Sequence, residues 1–489
     1  MKANRTFYIS LFSFLLPLFF LFPYLGFFKF FSGNLSIRSG ELFWALKNSF
    51  FQSSVASVVC VGLGIVFACG LLSFAKKYQE ILSKLILIPQ ILPSLFSILI
   101  GFSILDPFPM GHFGVIFIFI FINLGFSVYQ ISIAIQNKMG QLALVSEIYG
   151  FKRITFFRQI LLPTLWPDLK LNFFLVFLFC FSSLSIPLVA GGGKGTNLEV
   201  LIFEKIFIEQ NWDSAWVLMV LQTAFVFCMS YFFLKSRSFV TTEFKMHSFY
   251  KSKLGGLGLI IYLSIFLGSY LLNLIGSFNA INDILLFSTE IVNATINSIG
   301  LLFLIVLVCF ILLIVWILDY VNTLQHNLSI NFISVSTVLV GFSFYIWLPQ
   351  GFGFDLWKIP LAFNILFFPI LFKIFFEKKI TQMKSQIVAA KIFGISKRKI
   401  IFNVILSQCH QVLFLSSSLL MIWSLSDFAI SKALGTQTKT LGLLSENFLS
   451  SYHLDSAYLV SAYILLIWLI LSLFIHFVFK GIYGINKKY

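Results

Sequence analysis

The sequence predicts an all-α polytopic membrane protein with about twelve transmembrane helices. Its 489 residues are 59% hydrophobic and only 11% charged, and its mean hydropathy is +0.97. A chain of this composition is too apolar for a soluble globular protein. Runs such as residues 116–122, IFIFIFI, are apolar on every face, whereas the strands of a membrane β-barrel alternate polar and apolar residues. Helices are therefore the expected way to satisfy the backbone inside a bilayer.

Twelve apolar runs are candidate spans, because roughly 20 apolar residues cross about 30 Å of hydrocarbon. The first six cover residues 8–28, 51–74, 85–105, 113–133, 172–188 and 215–234. The other six cover residues 254–274, 299–318, 330–348, 360–376, 412–425 and 459–477. The polar stretch 235–253 is predicted to be a cytosolic linker. It separates a first six-helix domain, residues 1–234, from a second, residues 254–489.

Basic residues lie mostly on one side of this topology. With a cytosolic N-terminus, 26 of the 34 Lys and Arg residues fall in cytosolic segments and eight in external ones. This asymmetry follows the positive-inside rule and places both termini in the cytosol. It also explains the net charge of +16 without nucleic acid as a partner. The six cysteines are expected to be free thiols, and the six histidines lack the spacing of metal ligands.

Polar landmarks recur at nearly constant distances in the two halves. Asn48, followed by a serine, opens the second candidate span, and Asn297, also followed by a serine, opens the eighth, an offset of 249 residues. Asn123 in the fourth span and Asn364 in the tenth are 241 residues apart. Such offsets are typical of a tandem duplication. An even number of spans per half makes the repeat parallel, with a pathway expected between the halves.

Two stretches of twenty residues share one pattern. The first elbow is residues 144–163, LVSEIYGFKRITFFRQILLP, and the second elbow is residues 388–407, VAAKIFGISKRKIIFNVILS. In each, a short helix ends at a glycine, Gly150 or Gly394, which adopts a left-handed turn without a Cβ penalty. A second helix then begins, with Thr155 and Ser396 predicted as its caps. Each elbow is predicted to be a helix, a sharp turn and a helix on the cytosolic surface.

The pattern resembles the EAA loop of binding-protein-dependent ABC importer permeases. In that loop a Glu-Ala-Ala triplet is followed after three residues by glycine, then after nine residues by an Ile-x-Leu-Pro end. The matching residues of the first elbow are Leu144, Val145, Ser146, Gly150, Ile160, Leu162 and Pro163. Those of the second elbow are Val388, Ala389, Ala390, Gly394, Val404 and Leu406, with Ser407 instead of proline. Neither triplet keeps the glutamate, although Glu147 directly follows the first.

The resemblance implies two tandem six-helix permease domains of the MetI-like type, which together form the pore of an ATP-driven importer. The elbows would be the segments that couple the pore to the ATPase. The expected partners are two copies of a cytosolic ABC ATPase, which bind ATP and Mg²⁺, and a periplasmic or lipid-anchored solute-binding protein, besides membrane lipid. The chain itself is expected to bind no cofactor and to catalyse no reaction. Its expected location is the bacterial cytoplasmic (inner) membrane.

Two fused domains of this kind resemble the permeases of thiamine and of ferric-iron importers. The external segment 190–206 is more similar to the thiamine type, whereas segment 424–444 resembles both types. Thiamine or thiamine phosphate is therefore the first expectation for the substrate, and ferric iron is the alternative.

Asn123 and Asn364 are the first candidates for the pathway. An amide inside an apolar helix is costly unless it faces the bundle interior. The pair either lines the pathway or only joins neighbouring helices by hydrogen bonds. Gly125 and Pro369 are the nearest residues that are expected to break these helices.

Further candidates lie in the external segments. Gly191, Gly192 and Gly193 begin the run GGGKGT, which lacks the glycine-to-lysine spacing of a Walker A loop. The run is either an external gate or a plain loop. Glu199 and Asp427 either attract a cationic solute or contact the delivering protein, or they are passive surface residues.

Two other classes of protein compete with the importer. An ion-coupled secondary transporter also shows internal repeats, but it typically carries charged residues within its spans, and here almost none lie away from the span ends. A membrane-embedded enzyme needs a catalytic constellation, and neither a Ser-His-Asp grouping nor paired intramembrane carboxylates are evident.

Overall fold

The computed structural model describes residues 18–24, 37–92, 94–234, 252–280, 286–323, 336–349, 351–376, 379–380, 383–434 and 438–484. Over these ranges the regular structure is helical and no strand occurs, which confirms the predicted fold class. The predicted linker lies outside the described residues except for its last two. Most of the first candidate span, and the start of the ninth, lie outside them as well.

The described helices are distributed over both halves of the chain. The first half contains α1 (Ser39–Leu71), α2 (Lys76–Leu85), α3 (Ser94–Ile104), α4 (His112–Ile148), α5 (Leu162–Phe181), α6 (Ser185–Ala190), α7 (Leu198–Phe207) and α8 (Trp212–Leu234). The second half contains α9 (Lys253–Ser277), α10 (Ser288–Thr323), α11 (Thr337–Trp347), α12 (Phe352–Leu371), α13 (Lys384–Ile392), α14 (Ser407–Ser426), α15 (Ala429–Ala433), α16 (Leu441–Ser450) and α17 (Leu454–Gly484). Wider π-helical turns occur at Phe157–Leu161, Phe372–Phe376 and Ile400–Leu406.

Within the described ranges, eight helices are long and apolar enough to cross a membrane, and one bent pair adds a ninth. The chain is therefore a multi-pass membrane protein. The third predicted span, residues 85–105, is not one continuous helix. It contains the end of α2, a short turn at Ile88–Ile91 and α3. Pro89 lies in that turn, and proline supplies no backbone donor to continue a helix.

Helix α4 is much longer than a bilayer is thick. Its 37 residues extend about 55 Å at about 1.5 Å per residue, whereas the hydrocarbon core is about 30 Å thick. The part suited to the membrane is His112–Gln136, so the remaining turns carry the first elbow away from the bilayer. The prediction that Gly125 breaks this helix is wrong. A Cβ at Gly125 would lie 1.7 Å from the carbonyl oxygen of Ile86, so the glycine allows a close contact instead.

Pro369 does not end its helix either. It lies inside α12, which continues to Leu371. A wide turn, Phe372–Phe376, follows directly. Pro369 therefore lies within a helix that continues past it and becomes wider from Phe372.

The chain forms two compact units. The first unit contains residues 35–286 and 448–462, and the second unit contains residues 1–34, 287–447 and 463–489. The first helix of the second half, α9, thus belongs to the unit that holds most of the first half. Helical residues 18–24 belong to the unit that holds most of the second half. The domain boundary at 235–253 stays a prediction, because these units follow packing and not chain order.

In the first unit, α9 packs closely against α1. A Cβ at Gly70 would lie 2.1 Å from the backbone of Gly255, so the two helices touch through glycines. Tyr262 of α9 donates a hydrogen bond to the carbonyl of Phe121 at 2.8 Å. These contacts fix the position of α9 against both α1 and α4.

In the second unit, helical residues 18–24 pack through aromatic rings. Phe20 is fully buried, and its ring stacks on Phe368 of α12 with centroids 6.3 Å apart. The ring of Phe22 lies 5.2 Å from that of Phe344 in α11. Helical residues 18–24 thus pack in a unit whose other segments lie far from them in the sequence.

Candidate functional site

The first elbow turns at Gly150. Helix α4 ends at Ile148, and Gly150 has a φ of 69°, a left-handed conformation that suits glycine. The N–H of Gly150 donates to the carbonyl of Glu147 at 3.1 Å, and the N–H of Phe151 donates to the carbonyl of Ser146 at 3.0 Å. This pair of bonds is the Schellman motif, which satisfies the last carbonyls of a helix.

The second elbow repeats this turn. Helix α13 ends at Ile392, and Gly394 also has a φ of 69°. Its N–H donates to the carbonyl of Lys391 at 3.0 Å, and the N–H of Ile395 donates to the carbonyl of Ala390 at 3.0 Å. The two elbows, which lie in different units, therefore have the same backbone geometry at matching positions.

The helix after each turn begins three residues beyond the glycine. Lys152 and Ser396 have extended backbones and directly precede helical residues. The prediction that Thr155 caps this helix is wrong, because Thr155 lies within Arg153–Phe156. Ser396 occupies the cap position, but its side chain makes no capping hydrogen bond.

The tip of each elbow exposes large apolar side chains. Ile148, Tyr149, Ile392 and Phe393 are between 74% and 82% exposed. They form two equivalent pairs, since Ile392 and Phe393 follow Ile148 and Tyr149 by the same 244 residues that separate the two glycines. An exposed apolar patch at the end of a long helix is typical of an interaction site.

The other residues of the EAA-like pattern divide into an exposed and a buried set. Those exposed to solvent or half-buried are Leu144, Val145, Glu147, Ile160, Leu162, Pro163, Val388, Ala389 and Val404. Those buried are Ser146, Ala390 and Leu406. The buried members pack within their own units, whereas the exposed set combines the charged residue Glu147 with apolar residues such as Leu144 and Val145.

In the first unit, the start of α1 holds the segment that follows α6. The side-chain amide of Asn48 donates to the carbonyl of Thr196 at 2.9 Å, and that of Gln52 donates to the carbonyl of Gly195 at 3.0 Å. The hydroxyl of Ser49 accepts the N–H of Leu198 at 2.7 Å. The glycine run is thus tied to α1.

In the second unit, the start of α10 makes two of the same contacts. The amide of Asn297 donates to the carbonyl of Lys439 at 3.2 Å. The hydroxyl of Ser298 accepts the N–H of Leu441 at 2.9 Å. The Asn-Ser pairs that recur in the sequence therefore have equivalent partners in the structure.

Comparison with known proteins identifies the first half. Residues 60–237 match the family described as binding-protein-dependent transport system inner membrane component. This part of the chain is similar to that family. The matched region includes α4 and the whole first elbow, and the match confirms the resemblance to importer permeases.

One curated relative has a named substrate. The thiamine transport system permease protein ThiP of Haemophilus influenzae is 30% identical to this chain over 217 residues. The aligned part covers 39% of this chain and 38% of the relative. The similarity thus spans well under half of the length of either protein.

In the permease domain, Asn123 lies within α4 and is buried. Its amide nitrogen donates to the carbonyl of Phe119 at 2.9 Å and approaches the sulfur of Cys180 in α5 at 3.7 Å. Its amide oxygen has no hydrogen-bond partner among the residues that the structure describes. Asn123 thus contacts the neighbouring helix α5, as in the alternative in which the asparagines join helices by hydrogen bonds.

Asn364 in the second unit is similar. Its amide nitrogen donates to the carbonyl of Pro360 at 2.9 Å and to that of Ile305 in α10 at 3.0 Å. Within the described part of the chain, its amide oxygen also lacks a hydrogen-bond partner. Lining of a pathway by the two asparagines stays a prediction.

The glycine run of the permease domain forms a tight turn. Gly192 and Gly193 have φ values of 50° and 74°, which favour glycine. Gly191 is packed so closely that a Cβ there would lie 2.2 Å from the carbonyl oxygen of Pro187. With the bonds from α1, these glycines form a fitted turn, and the gate role stays a prediction.

Glu199 is not a surface residue. It is fully buried, and its carboxylate accepts a hydrogen bond from Gln222 at 3.1 Å. The expectation of a passive surface residue is therefore wrong for Glu199, whereas its attraction for a cationic solute and its contact with the delivering protein stay predictions. The sequence placed it beside an external loop, whereas helix α7 turns it inward against α8.

Asp427 caps a helix. Its carboxylate accepts the N–H of Ile430 at 2.8 Å at the start of α15. Burial raises the pKa of Asp427 to about 7, although bonds from the backbone N–H groups of Ile430 and Ala429 favour the charged form. Near neutral pH a large share of this carboxyl group is therefore protonated. Its attraction for a cationic solute stays a prediction.

A buried charged pair was missed by the sequence analysis. Asp355 and Lys358 lie one helical turn apart in α12 and are both fully buried. The hydroxyl of Thr438 donates to the carboxylate of Asp355 at 2.9 Å. The spacing of an acid and a base by three residues was the available signal. The predicted span began at residue 360 and so placed the pair in a loop.

Each elbow is anchored by a lysine. Lys138 in α4 is buried and forms an ion pair with Asp168 of α5. Lys391 in α13 donates to the carbonyl of Val321 near the end of α10. Burial and the neighbouring charge of Lys397 lower the pKa of Lys391. Because Lys391 matches Glu147 in position, the two elbows carry opposite charges at this site.

Replacing Lys138 with alanine is expected to lower the free energy of unfolding by about 2 kcal/mol, a typical value for a hydrogen bond between charged groups. The variant leaves the carboxylate of Asp168 without its cation beside the first elbow. Thermal unfolding of the purified protein measures this loss. The control is exposed Lys152, where alanine is expected to change stability by less than about 0.5 kcal/mol. Equal melting temperatures for both variants would contradict the role of Lys138.

Proposed function

We propose that the chain is the transmembrane permease of an ATP-driven ABC importer, and that it passes a small solute from an external binding protein to the cytosol. The observation that carries the proposal is the pair of matching elbows. Both have the same φ of 69° at glycine, the same two turn bonds and the same exposed apolar tip. Two elbows of matching geometry suit a partner protein that is present in two copies.

Two copies of a cytosolic ABC ATPase dock on the elbows in this proposal. They bind ATP and Mg²⁺ and hydrolyse the nucleotide, whereas the permease contributes the pathway and no reaction. Neither elbow has the glutamate of the EAA triplet, and matching positions carry Glu147 in one elbow and Lys391 in the other. In this proposal the ATPase therefore recognises the apolar tips and not a shared charge. Closure of the ATPase pair would move the elbows and shift the bundle between two states.

The orientation follows from charge. Basic residues concentrate on the side of the elbows, which the positive-inside rule assigns to the cytosol. Both termini then lie in the cytosol and the membrane is the bacterial inner membrane. The binding protein, periplasmic or lipid-anchored, docks on the opposite face, across residues 191–210 and 431–453.

The two halves arose by tandem duplication in this proposal. The support is the equivalence of the Asn-Ser contacts at α1 and α10 and of the elbow turns. The match of the first half to a permease family then extends to the second half by internal likeness. A single chain would supply both permease domains of the pore.

Thiamine or a thiamine phosphate is the proposed substrate. The support is the named function of the relative in Haemophilus influenzae. Binding of thiamine, its phosphates and ferric iron to the cognate binding protein, measured by calorimetry, distinguishes the substrates. Binding of ferric iron alone would redirect the proposal to an iron importer.

Reconstitution tests the transport class. We expect uptake into proteoliposomes only when the ATPase, ATP and the loaded binding protein are all present. The control is the permease alone with a sodium or proton gradient. Uptake under that condition would show an ion-coupled transporter and refute the importer.

Substitution of both tips with serine is expected to release the ATPase. The variants are Ile148→Ser with Tyr149→Ser, and Ile392→Ser with Phe393→Ser. Burial of one large apolar side chain stabilises by about 1.5–3 kcal/mol, so removing one pair is expected to weaken binding at that elbow by about a hundredfold or more. Co-purification of the ATPase with the permease measures the effect. Tyr452→Ser is the control, because Tyr452 is equally exposed but lies on the predicted external side. Unchanged co-purification of all variants would contradict docking on the tips.

A further inference from the structure

A wide π-helical turn directly follows the short helix after each elbow glycine, Arg153–Phe156 in the first elbow and Lys397–Lys399 in the second. Five residues, Phe157–Leu161, form it in the first unit, and seven residues, Ile400–Leu406, form it in the second. In such a turn each N–H bonds five residues back instead of four, so the helix is locally wider. These turns are rare in helices and are frequent at functional sites.

In the first unit the wide turn runs into a proline. Helix α5 begins at Leu162, and Pro163 is its second residue. Proline has no N–H, and its ring crowds the carbonyl four residues earlier. That carbonyl belongs to Gln159, in the middle of the wide turn. Taken alone, the turn would be explained as relief of this crowding.

The second unit excludes this explanation. Ser407 stands where Pro163 stands in the first, and the wide turn is present and longer. The hydroxyl of Ser407 donates to the carbonyl of Asn403 at 2.5 Å and lies 3.4 Å from that of Val404. Asn403 matches Gln159 in position. A serine hydroxyl that bonds the carbonyl four residues earlier competes with the helical N–H and bends helices.

The two units therefore reach one result by different chemistry. The proline removes the donor for the carbonyl at position 159, and the serine supplies a side-chain donor to the carbonyl at position 403. In both, the carbonyl concerned lies at the same position relative to the glycine of the turn. The first elbow arrives on the continuous helix α4, and its wide turn lies within the helix Arg153–Phe181 that leads from the elbow into the next span.

We propose that the wide turns are paired mechanical joints, and that Pro163 and Ser407 maintain them. Each joint lets its elbow move with the ATPase while the following span, α5 or α14, changes its angle. Hinges of this kind absorb a movement at the ends of helices. The inference rests on the proposed function, because it assigns the movement to coupling with the ATPase.

The test compares alanine with exchanged residues. In P163A the missing N–H returns, and in S407A the competing hydroxyl is lost, so both variants allow a regular helix. In P163S and S407P each unit receives the residue of the other. Ser407 has a φ of −62°, which proline adopts without strain. The exchanges keep the interruption and serve as the matched controls.

Two measurements are made on the full chain. Hydrogen exchange of the amides in the two wide turns reports the helical ladder, and we expect slower exchange in both alanine variants only. ATP hydrolysis stimulated by the loaded binding protein, with the cognate ATPase, reports coupling. We expect P163A and S407A to lose about fivefold or more of this stimulation, the lower range of coupling between distant sites, and S407P, which restores the proline of the EAA-like pattern, to keep wild-type stimulation.

The outcomes separate the joint from the proposed function. Slower exchange in the alanine variants with wild-type stimulation would overturn the joint. Unchanged exchange in the alanine variants would overturn the role of Pro163 and Ser407. If the alanine variants do not fold, loss of the stimulation of ATP hydrolysis in a folded S407P variant overturns the joint. A wild-type permease whose ATPase shows no stimulation refutes the importer itself, while the exchange rates still judge the two residues.

Discussion

Valine in place of Gly150 or Gly394 is expected to abolish the stimulation of ATP hydrolysis while the protein remains folded. Both glycines have a φ of 69°, and a non-glycine residue held in such a conformation costs about 1–3 kcal/mol. A β-branched side chain is the least tolerant of it. No atom lies within 4 Å of the Cβ position at either glycine, so the effect comes from the backbone and not from crowding. The turn would open and displace the apolar tip from its partner.

The controls separate conformation from size. Gly150→Asn is expected to keep most of the stimulation, because asparagine enters the left-handed region at low cost. Gly300→Val adds the same side chain where no atom lies within 4 Å and φ is not positive, and it is expected to behave like the wild type. The assay is ATP hydrolysis in the presence of the loaded binding protein. Full stimulation in both elbow variants would refute the coupling role.

The elbows were accessible from the sequence because their signal is local. A helix–turn–helix with glycine at the turn can be predicted from the glycine and the pattern of the residues around it. The same locality allowed the Asn-Ser pairs to be noticed, although their partners, such as the carbonyl of Thr196, were not predictable. Thr155 shows the limit of such reasoning. It has the chemistry of a cap, but its helix begins two residues earlier, at Arg153, with Lys152 in the cap position.

Contacts between distant segments were not predictable in the same way. By its composition, the apolar surface of α9 could pack against any neighbouring helix. The close contact of Gly70 with Gly255 is what pairs it with α1. Glu199 was placed outside because its helix is short and follows a glycine run. Its burial depends on α8 packing over it, and a single sequence does not encode that neighbour locally.

Gly125 shows how strongly such a contact can matter. The sequence suggested a break in α4, whereas the structure places the backbone of Ile86 directly against the glycine. A Cβ there would lie 1.7 Å from the carbonyl oxygen and 2.8 Å from the carbonyl carbon of Ile86. Neither atom belongs to a flexible side chain. The turn between α2 and α3 would have to leave α4.

Alanine at Gly125 is therefore expected to lower the free energy of unfolding by about 3 kcal/mol, the upper range for overpacking. Thermal unfolding of the purified protein in detergent measures the loss. Gly62→Ala in α1 is the control, since no atom lies within 4 Å of its Cβ position and alanine favours a helix by up to about 1 kcal/mol over glycine. Because both variants add the same methyl group to a membrane helix, a difference between them reports the contact with Ile86. Equal melting temperatures would mean that α4 does not depend on this close approach and that Gly125 serves another purpose in the permease domain.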